Sequence, residues 1–323
     1  MRVNPVTPAV VVLIVVHNRL CLTSKCLASI PASSPKMRIH IVLVDDGSTD
    51  GTSEWVKKMY PAATVLRGDG NLWFGGGVQV GLEHIRAQFP LADYVLSLNN
   101  DLIMLPGCVE ALVNESGGEA IVSAILTDRQ VRVIYSFGTV WDWWKGWVCP
   151  FTGHLFASHP EFLKGASLEV PLLTTAATII PAKWLAKIAP INVERYPQHK
   201  ADTDLFSKLS RAGARLRVTS RAIVTEGEGQ AARRCRAWDY SFLEFLSHSI
   251  KNKHSPLHFP STINSLWESA PSFPSAVLPI VRAGLLYLRT LLCLPIYRFF
   301  RVVEVFLSSL QRLSVKGERI SRL

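Results

Sequence analysis

Apolar runs of strand length alternate along this chain with segments whose apolar residues recur at helical spacing. "VVVLIVV" (Val10–Val16) and "IHIVLV" (Ile39–Val44) are β-branched and nearly continuous. That is the pattern of strands covered on both faces, as in a parallel sheet. Between them, "RLCLTSKCLASI" has helical spacing, so the opening predicts a β-α-β unit. A short helix at "EWVKKMY", a strand at "ATVL" (Ala63–Leu66), a helix over Val78–Phe89 and a strand at "YVLSL" (Tyr94–Leu98) continue the alternation. A further helix opens on "PGCVEALV", with proline and glycine in its first turn. The pattern predicts a doubly wound α/β half.

The middle is less regular. "VRVIYSFGTVWDWWKGWV" (Val131–Val148) holds four of the nine tryptophans and reads as strand, either an antiparallel addition or a wall facing an acceptor. "LLTTAATIIP" (Leu172–Pro181) predicts another strand. Ala201–Val218 predicts a helix with Leu205, Phe206, Leu209 and Ala212 on one face, Asp202 and Asp204 near its positive N-terminus, and Gly213 as its stop. Past Cys235 the composition changes, and "SPLHFPSTINSLWESAPSFPSAVLP", with five prolines, predicts a linker or an ordered loop. From Val277 the pattern is helical again until Pro295. The expected organisation is one domain over residues 1–245, then a linker and C-terminal amphipathic helical region over 246–323.

Composition narrows this reading. The 323 residues are 48% hydrophobic and 19% charged, an ordinary globular mix. The first apolar run follows two prolines and ends in "HNR" without a small-residue cleavage site, which predicts a strand rather than a signal peptide. No run of about 18 uncharged apolar residues occurs, which argues against an ordinary transmembrane helix. The six cysteines form no C-x-x-C pair, so reduced, mostly buried thiols in a cytoplasmic protein are expected, without a zinc site.

Charge adds a partner. Of the net +10, Val277–Leu323 supplies +6, from eight basic and two acidic side chains. Within Tyr297–Leu313, Arg298, Arg301 and Arg312 share a side with Ser308 and Ser309, opposite Phe299, Val303, Phe306, Leu307 and Leu310. Two readings follow: helices packed on the domain, or an interfacial anchor on an anionic membrane surface, peripheral on the inner face of the plasma membrane. The interleaving of basic and apolar residues weighs against nucleic acid.

Four stretches carry candidate chemistry. "VDDGSTDGT" (Val44–Thr52) is a capped β-α turn, or places Asp45 and Asp46 beside a nucleotide base or ribose. In "GDGNLWFGGGVQVG" (Gly68–Gly81), the triplet Gly75, Gly76, Gly77 suits close approach to a diphosphate, although it is not the dinucleotide fingerprint. "YVLSLNNDLIMLPG" sets Asn99, Asn100 and Asp101 between two apolar runs; this is a turn, or a carboxylate for Mg²⁺ or Mn²⁺ at the carboxyl edge of a sheet. In "HKADTDLF", a carboxylate at a helix start either caps the helix or acts as general base.

The order of these pieces resembles the family 2 glycosyltransferases, inverting nucleotide-sugar enzymes. "VLIVVHNR", "IVLVDDGSTDGT", "GNLWFGGGVQVGL", "YVLSLNNDLIMLPG" and "ADTDLFSKLSRAGARL" carry the likeness, which spans Ala9–Val224. "GNLWFGGG" and "YPQHKADTDL" look most similar to the bacterial rhamnosyltransferase-like branch. The resemblance implies a GT-A fold, a doubly wound mixed sheet with a Rossmann-like nucleotide-binding half. It implies donor contacts from His17, Asn18, Asp45, Asp46, Gly75, Gly76, Gly77, Asn99 and Asn100, a metal ligand in Asp101 for Mg²⁺ or Mn²⁺, and a catalytic base in Asp202. Ala201 stands where the family pattern has Glu. The implied partners are a dTDP- or UDP-linked sugar, possibly rhamnose, and a glycan or lipid-linked acceptor in surface polysaccharide synthesis. Two alternatives are a nucleotidyltransferase, which should show a Gly-rich basic loop after the first strand that "VVHNRLCLTS" lacks, and a non-catalytic nucleotide-sugar-binding scaffold.

Overall fold

Strand β1 (Ala9–Val16) shows why the first apolar run is unbroken. Val11 and Leu13 enter one core, while Val10, Val12, Ile14 and Val16 enter another on the opposite face of the sheet. Successive strand side chains point to opposite faces, so a strand covered on both sides has no polar position to spare. The computed structural model describes residues 7–127, 134–136, 139–142, 147–150, 165, 167–227, 240–270 and 275–294.

Helix α1 (Leu20–Ser33) crosses to β2 (Arg38–Asp45), and α2 (Thr52–Met59) crosses to β3 (Thr64–Arg67). Helix α3 (Trp73–Gln88) then leads to β4 (Tyr94–Leu98), on the other flank of β1. These four strands are parallel, with Val16 of β1 beside Asp45 of β2. Because the chain leaves β1 toward β2 and returns beside it as β4, a crevice opens at the carboxyl ends of the strands, where open α/β sheets bind ligands.

The sheet continues through elements whose sequence signal is weaker. Strand β5 (Leu102–Met104), helix α4 (Cys108–Ser116) and strand β6 (Ile121–Thr127) follow β4. Strands β7 (Ile134–Ser136), β8 (Thr139–Asp142) and β9 (Trp147–Pro150) come next, and β8 and β9 form a separate antiparallel pair, the addition expected of the tryptophan-rich stretch. Strand β10 (Ser167–Glu169) precedes β11 (Ala177–Pro181), which inserts antiparallel between β4 and β6, and a short helix α5 (Ala182–Leu185). Helix α6 (Ala201–Arg211) is followed by β12 (Leu216–Glu226), parallel to β6. The path is β10-β12-β6-β11-β4-β1-β2-β3, a mixed sheet.

Three expectations change. The helix expected to run to Val218 stops at Arg211; Gly213 turns the chain at φ +91°, and "LRV" starts β12 instead. Strands β6 and β12 escape the periodicity reading, although β6 is buried almost throughout. The proline-rich segment holds a helix rather than a linker. After α7 (Phe242–Leu246), which continues in a π-turn through Lys251, comes α8 (Phe259–Ser269), with proline in its first turn. Leu266 of α8 joins the core of the domain.

Helix α8 also holds the loop before α6. The Glu268 carboxylate accepts the Tyr196 hydroxyl at 2.6 Å and pairs with Arg195. Burial and that carboxylate push the Tyr196 phenol up from its ordinary range, so it stays a donor. The last described helix, α9 (Ser275–Leu294), stacks Tyr287 between Phe245 and Phe259. Its other side exposes Val277, Leu278, Val281, Leu285, Leu286, Leu288 and Leu292. By length and composition α9 meets the requirement for crossing a membrane, despite Arg282 and Arg289, so the absence of a fully uncharged run does not exclude it. The amphipathic stretch Tyr297–Leu313 lies outside the described residues, as do Cys149 side-chain contacts and Cys235. Among the described residues Cys21, Cys26, Cys108 and Cys293 are free; Cys26 and Cys108 are buried, and burial pushes the Cys108 thiol up to about 12.

Tyr196→Phe is expected to lower stability by about 1–3 kcal/mol, because it removes the donor to Glu268 Oε2 and leaves only Arg195 on that carboxylate. Chemical denaturation of the purified chain checks this.

Candidate active site

A cavity of about 720 Å³ lies at the carboxyl edge of the sheet. His17, Asp46, Asn99, Asn100, Asp101 and Asp202 all line it, so three carboxylates far apart in sequence converge on one space. His17 follows β1, Asp46 follows β2, the Asn-Asn-Asp turn follows β4, and Asp202 sits in the first turn of α6.

The 44–52 turn is braced from within. Asp45 is fully buried; its carboxylate accepts the Ser48 amide at 2.8 Å and the Ser53 hydroxyl. It does not line the cavity, so its place is beneath the cleft rather than in it. Asn18, at φ +51°, joins the end of β1 to this turn: its amide donates to Ser48 Oγ at 2.9 Å, and its Oδ1 accepts Thr49 N at 2.8 Å. It borders the cavity through His17, whose Nδ1 lies 2.6 Å from the Asp46 carbonyl oxygen.

Asp46 is only 3% exposed, and its carboxylate accepts three backbone amides. Oδ1 accepts the amides of Gly70 at 2.9 Å and Leu72 at 3.2 Å, and Oδ2 accepts that of Trp73 at 2.8 Å. The carboxylate therefore fixes the 70–73 loop, and a base N–H reaching it would have to share its remaining lone pairs. Loop hydrogen bonding is a tertiary fact that the "DDG" signature does not announce.

The glycine triplet also differs from expectation. Gly75, Gly76 and Gly77 lie inside α3, not in a loop, and none lines the cavity. A Cβ on Gly75 would meet the Tyr196 carbonyl oxygen at 2.5 Å, and one on Gly77 would meet Val15 Cγ1 at 2.5 Å. The triplet lets α3 press against β1 and the 196–197 backbone. Gly75 N donates to the Pro197 carbonyl at 2.7 Å, and Phe74 N donates to Gln198 Oε1 at 3.1 Å. Backbone proximity is the reason for the glycines, but the neighbour is protein rather than diphosphate.

In the turn after β4, Asn100 is buried and donates to Thr23 Oγ1 at 3.1 Å, and Asn99 N donates to the Ala176 carbonyl at 2.8 Å. Asp101 faces the cavity and pairs with Arg19 Nη1 at 3.2 Å. Among the described residues no group of three or more His, Cys, Asp or Glu side chains gathers as a metal cage. Mg²⁺ and Mn²⁺ do not need one: they commonly take one or two carboxylates and complete their shell with substrate phosphates and water. The single carboxylate of Asp101 fits that donor set, with Arg19 as a second positive charge beside it.

Asp202 lines the same cavity. Its Oδ1 accepts the Thr203 amide at 2.8 Å, and burial raises its carboxyl above the ordinary aspartate range, partly opposed by that amide and by Lys200. Asp204, the alternative in the same motif, is turned away: it is buried, accepts Asn192 N at 2.8 Å and pairs with Lys208. Sequence reading passed over Arg19, Trp73, His199 and Lys200, which also line the cavity. All four lie inside the quoted motifs, one residue or a few from the residues chosen, but no local rule singles them out. Among the described residues the non-glycine positions with positive φ are Asn18, Trp73 and Lys200, and all three lie in or against this cavity. Such backbone strain concentrates at functional sites.

A parallel β1–β4 core extended by antiparallel β11, with a ligand-sized crevice at the carboxyl edge, defines a GT-A glycosyltransferase fold. A solved structure of GalNAc-T7 with UDP, GalNAc and Mn²⁺ superposes at a TM-score of 0.53 and 13% identity, covering 86% of this chain and 54% of that one, a likeness of fold. Residues 11–148 match the family described as Glycosyl transferase family 2, so this part of the chain is similar to that family. Curated relatives in two strains of Mycobacterium tuberculosis, CDC 1551 / Oshkosh and ATCC 25618 / H37Rv, are each named N-acetylglucosaminyl-diphospho-decaprenol L-rhamnosyltransferase. Both are 24% identical over 191 residues, which are 54% of this chain and 62% of theirs, so the match spans less than two thirds of their length.

Gly75→Ala is expected to destabilise by about 1–3 kcal/mol, since a backbone carbonyl cannot step aside. Gly76→Ala, whose Cβ would meet only Leu72 Cβ at 3.4 Å, is expected to be neutral or stabilising by up to about 1 kcal/mol. Thermal melts of the two variants provide the comparison.

Proposed function

We propose that this chain is an inverting glycosyltransferase that moves a sugar from a nucleoside-diphosphate donor to a hydroxyl of a glycan or lipid-linked acceptor. The observation that carries the reading is Asp202: a carboxylate raised by burial, facing the same cavity as Asp46 and Asp101. In this reading the nucleotide lies along the β1–β2 edge, near His17 and the loop held by Asp46. The diphosphate lies toward Asp101 and Arg19.

Asp202 takes the proton of the acceptor hydroxyl. The oxygen attacks the anomeric carbon from the face opposite the diphosphate, the bond to the leaving oxygen breaks, and the configuration inverts in one displacement. A raised carboxyl makes a stronger base once ionised. Arg19 stands where it would meet charge growing on the leaving group. A divalent cation held by Asp101 would neutralise part of the diphosphate charge. The names of the relatives favour a rhamnosyl donor and a lipid-diphosphate acceptor in surface glycan synthesis.

The lipid-linked acceptor suits α9. One side of that helix is committed to Phe245 and Phe259 through Tyr287, while the other offers a row of exposed leucines and valines with Arg289 exposed beside them. A helix packed on its own domain along one side and apolar along the other suits lying in a membrane interface, where an arginine can meet anionic headgroups. The reading places the chain peripherally on the cytoplasmic face.

Three outcomes are expected. Asp202→Asn retains nucleotide binding by calorimetry but loses about 10²–10⁴-fold in turnover; full activity would reject the assignment. The acid limb of the wild-type pH–rate profile should lie above the ordinary aspartate value of about 4, because the base must be ionised and burial raises its carboxyl. Excess chelator, and equally Asp101→Asn, should suppress transfer, and undiminished turnover in chelator would remove Asp101 as a metal ligand.

A further inference from the structure

Lys200 is a cation with no assigned task. It lines the cavity two residues before Asp202 and takes φ +71°, a conformation a lysine rarely adopts. Its backbone carbonyl accepts the Asp204 amide at 2.9 Å as the first turn of α6 forms, so the strain is held by that helix. Its ammonium makes no hydrogen bond or ion pair among the described residues. Burial pulls the ammonium down and Asp202 pushes it up, so its one acidic influence is the candidate base itself. Around it the chemistry is basic or neutral. His199 precedes it, and His254 is close enough to act on His199 while stacking on Trp73 at 3.7 Å between ring centroids. An ammonium partly withdrawn from water without a partner is costly unless a ligand completes it.

We infer that Lys200 is the anchor of a phosphate-binding subsite in the acceptor half of the cleft, selecting acceptors that carry a phosphate group near the hydroxyl that reacts. The inference rests on the glycosyltransferase reading of the same cavity and adds the residue that would recognise the acceptor's phosphate. Two phosphates enter such a cleft, that of the donor and that of the acceptor. In that reading the donor diphosphate has its own cation in Arg19, which also lines the cavity and pairs with Asp101. Lys200 shares a short segment with Asp202, and the group that gives its proton to Asp202 belongs to the acceptor. A phosphate a few bonds from that hydroxyl would meet the ammonium. Trp73, which lines the cavity and is backed by His254, would offer an apolar surface to the sugar that carries it.

The test uses the full chain with its donor site saturated by UDP or dTDP and Mn²⁺. It compares calorimetric binding of N-acetylglucosamine 1-phosphate with that of N-acetylglucosamine. The informative variant is Lys200→Asn, which removes the charge while asparagine tolerates the left-handed backbone; Lys200→Gly serves the same end if the first does not fold, and Lys200→Arg retains the charge. The wild type should prefer the phosphorylated sugar by about ten-fold or more, consistent with one charge-assisted hydrogen bond. Lys200→Asn should lose that preference with nucleotide affinity unchanged, and Lys200→Arg should keep most of it. A wild type indifferent to the phosphate, or a Lys200→Asn variant that still prefers it, overturns the inference. So does a variant in which nucleotide affinity falls instead, since the cation would then serve the donor. A wild type that binds neither nucleotide overturns the glycosyltransferase reading as well, which separates the two failures.

Discussion

The cleft depends on one carboxylate and the three amides it accepts. Asp46 follows β2, and its two oxygens take the amides of Gly70, Leu72 and Trp73. Hydrogen bonds to an ionised acceptor are among the stronger ones available, and a buried carboxylate needs them to offset the water it has lost. The consequence is positional. Trp73 opens α3, so the start of that helix is referred directly to the end of β2. Two residues on, Gly75 donates to Pro197, which refers the next loop to α3. That loop leads through His199 and Lys200 into Asp202. Asp202 is therefore placed by a relay of backbone contacts that begins at the sheet edge.

The same loop is gripped from its other side. Glu268 of α8 accepts the Tyr196 hydroxyl and pairs with Arg195. The first residue of α8, Phe259, stacks on Tyr287 of α9. So the exposed apolar helix and the loop carrying the candidate base are joined through a single short helix, by an aromatic stack at one end and a carboxylate at the other. A surface that docks α9 would act on an element already coupled to the cleft. The proline-rich segment looks like a linker in composition, but its prolines start or flank helices and its side chains brace the domain.

How much of this was legible varies with the kind of signal. The β1, β2 and β4 strands announce themselves because burial on both faces demands unbroken β-branched runs. Helix α6 is equally plain, with Leu205, Phe206 and Leu209 fully buried on one face. Strand β12 hides because it follows a helix after a glycine, and its alternation was absorbed into the helical pattern. The cleft's acidic members were found through motifs. Their division of labour was not: Asp45 and Asp204 look as available as Asp46 and Asp202, yet one is buried under the turn and the other is tied to Lys208. Arg19 and Lys200 drew no attention because a single basic residue beside a motif is common in any sequence.

By itself the sequence determined the alternating α/β order, the likeness to a glycosyltransferase family, and the short list of polar residues set between apolar runs. Those are local properties, since burial on both strand faces and turn chemistry each leave a mark over a few neighbouring positions. Tertiary structure decided what each polar residue faces: that the glycine triplet admits Val15 and the Tyr196 carbonyl, that Asp101 meets Arg19, and that Lys200 is left without a partner among the described residues. The physical reason is that a side chain's role depends on charge and space contributed by segments tens or hundreds of residues away, and no local pattern records where those segments come to rest.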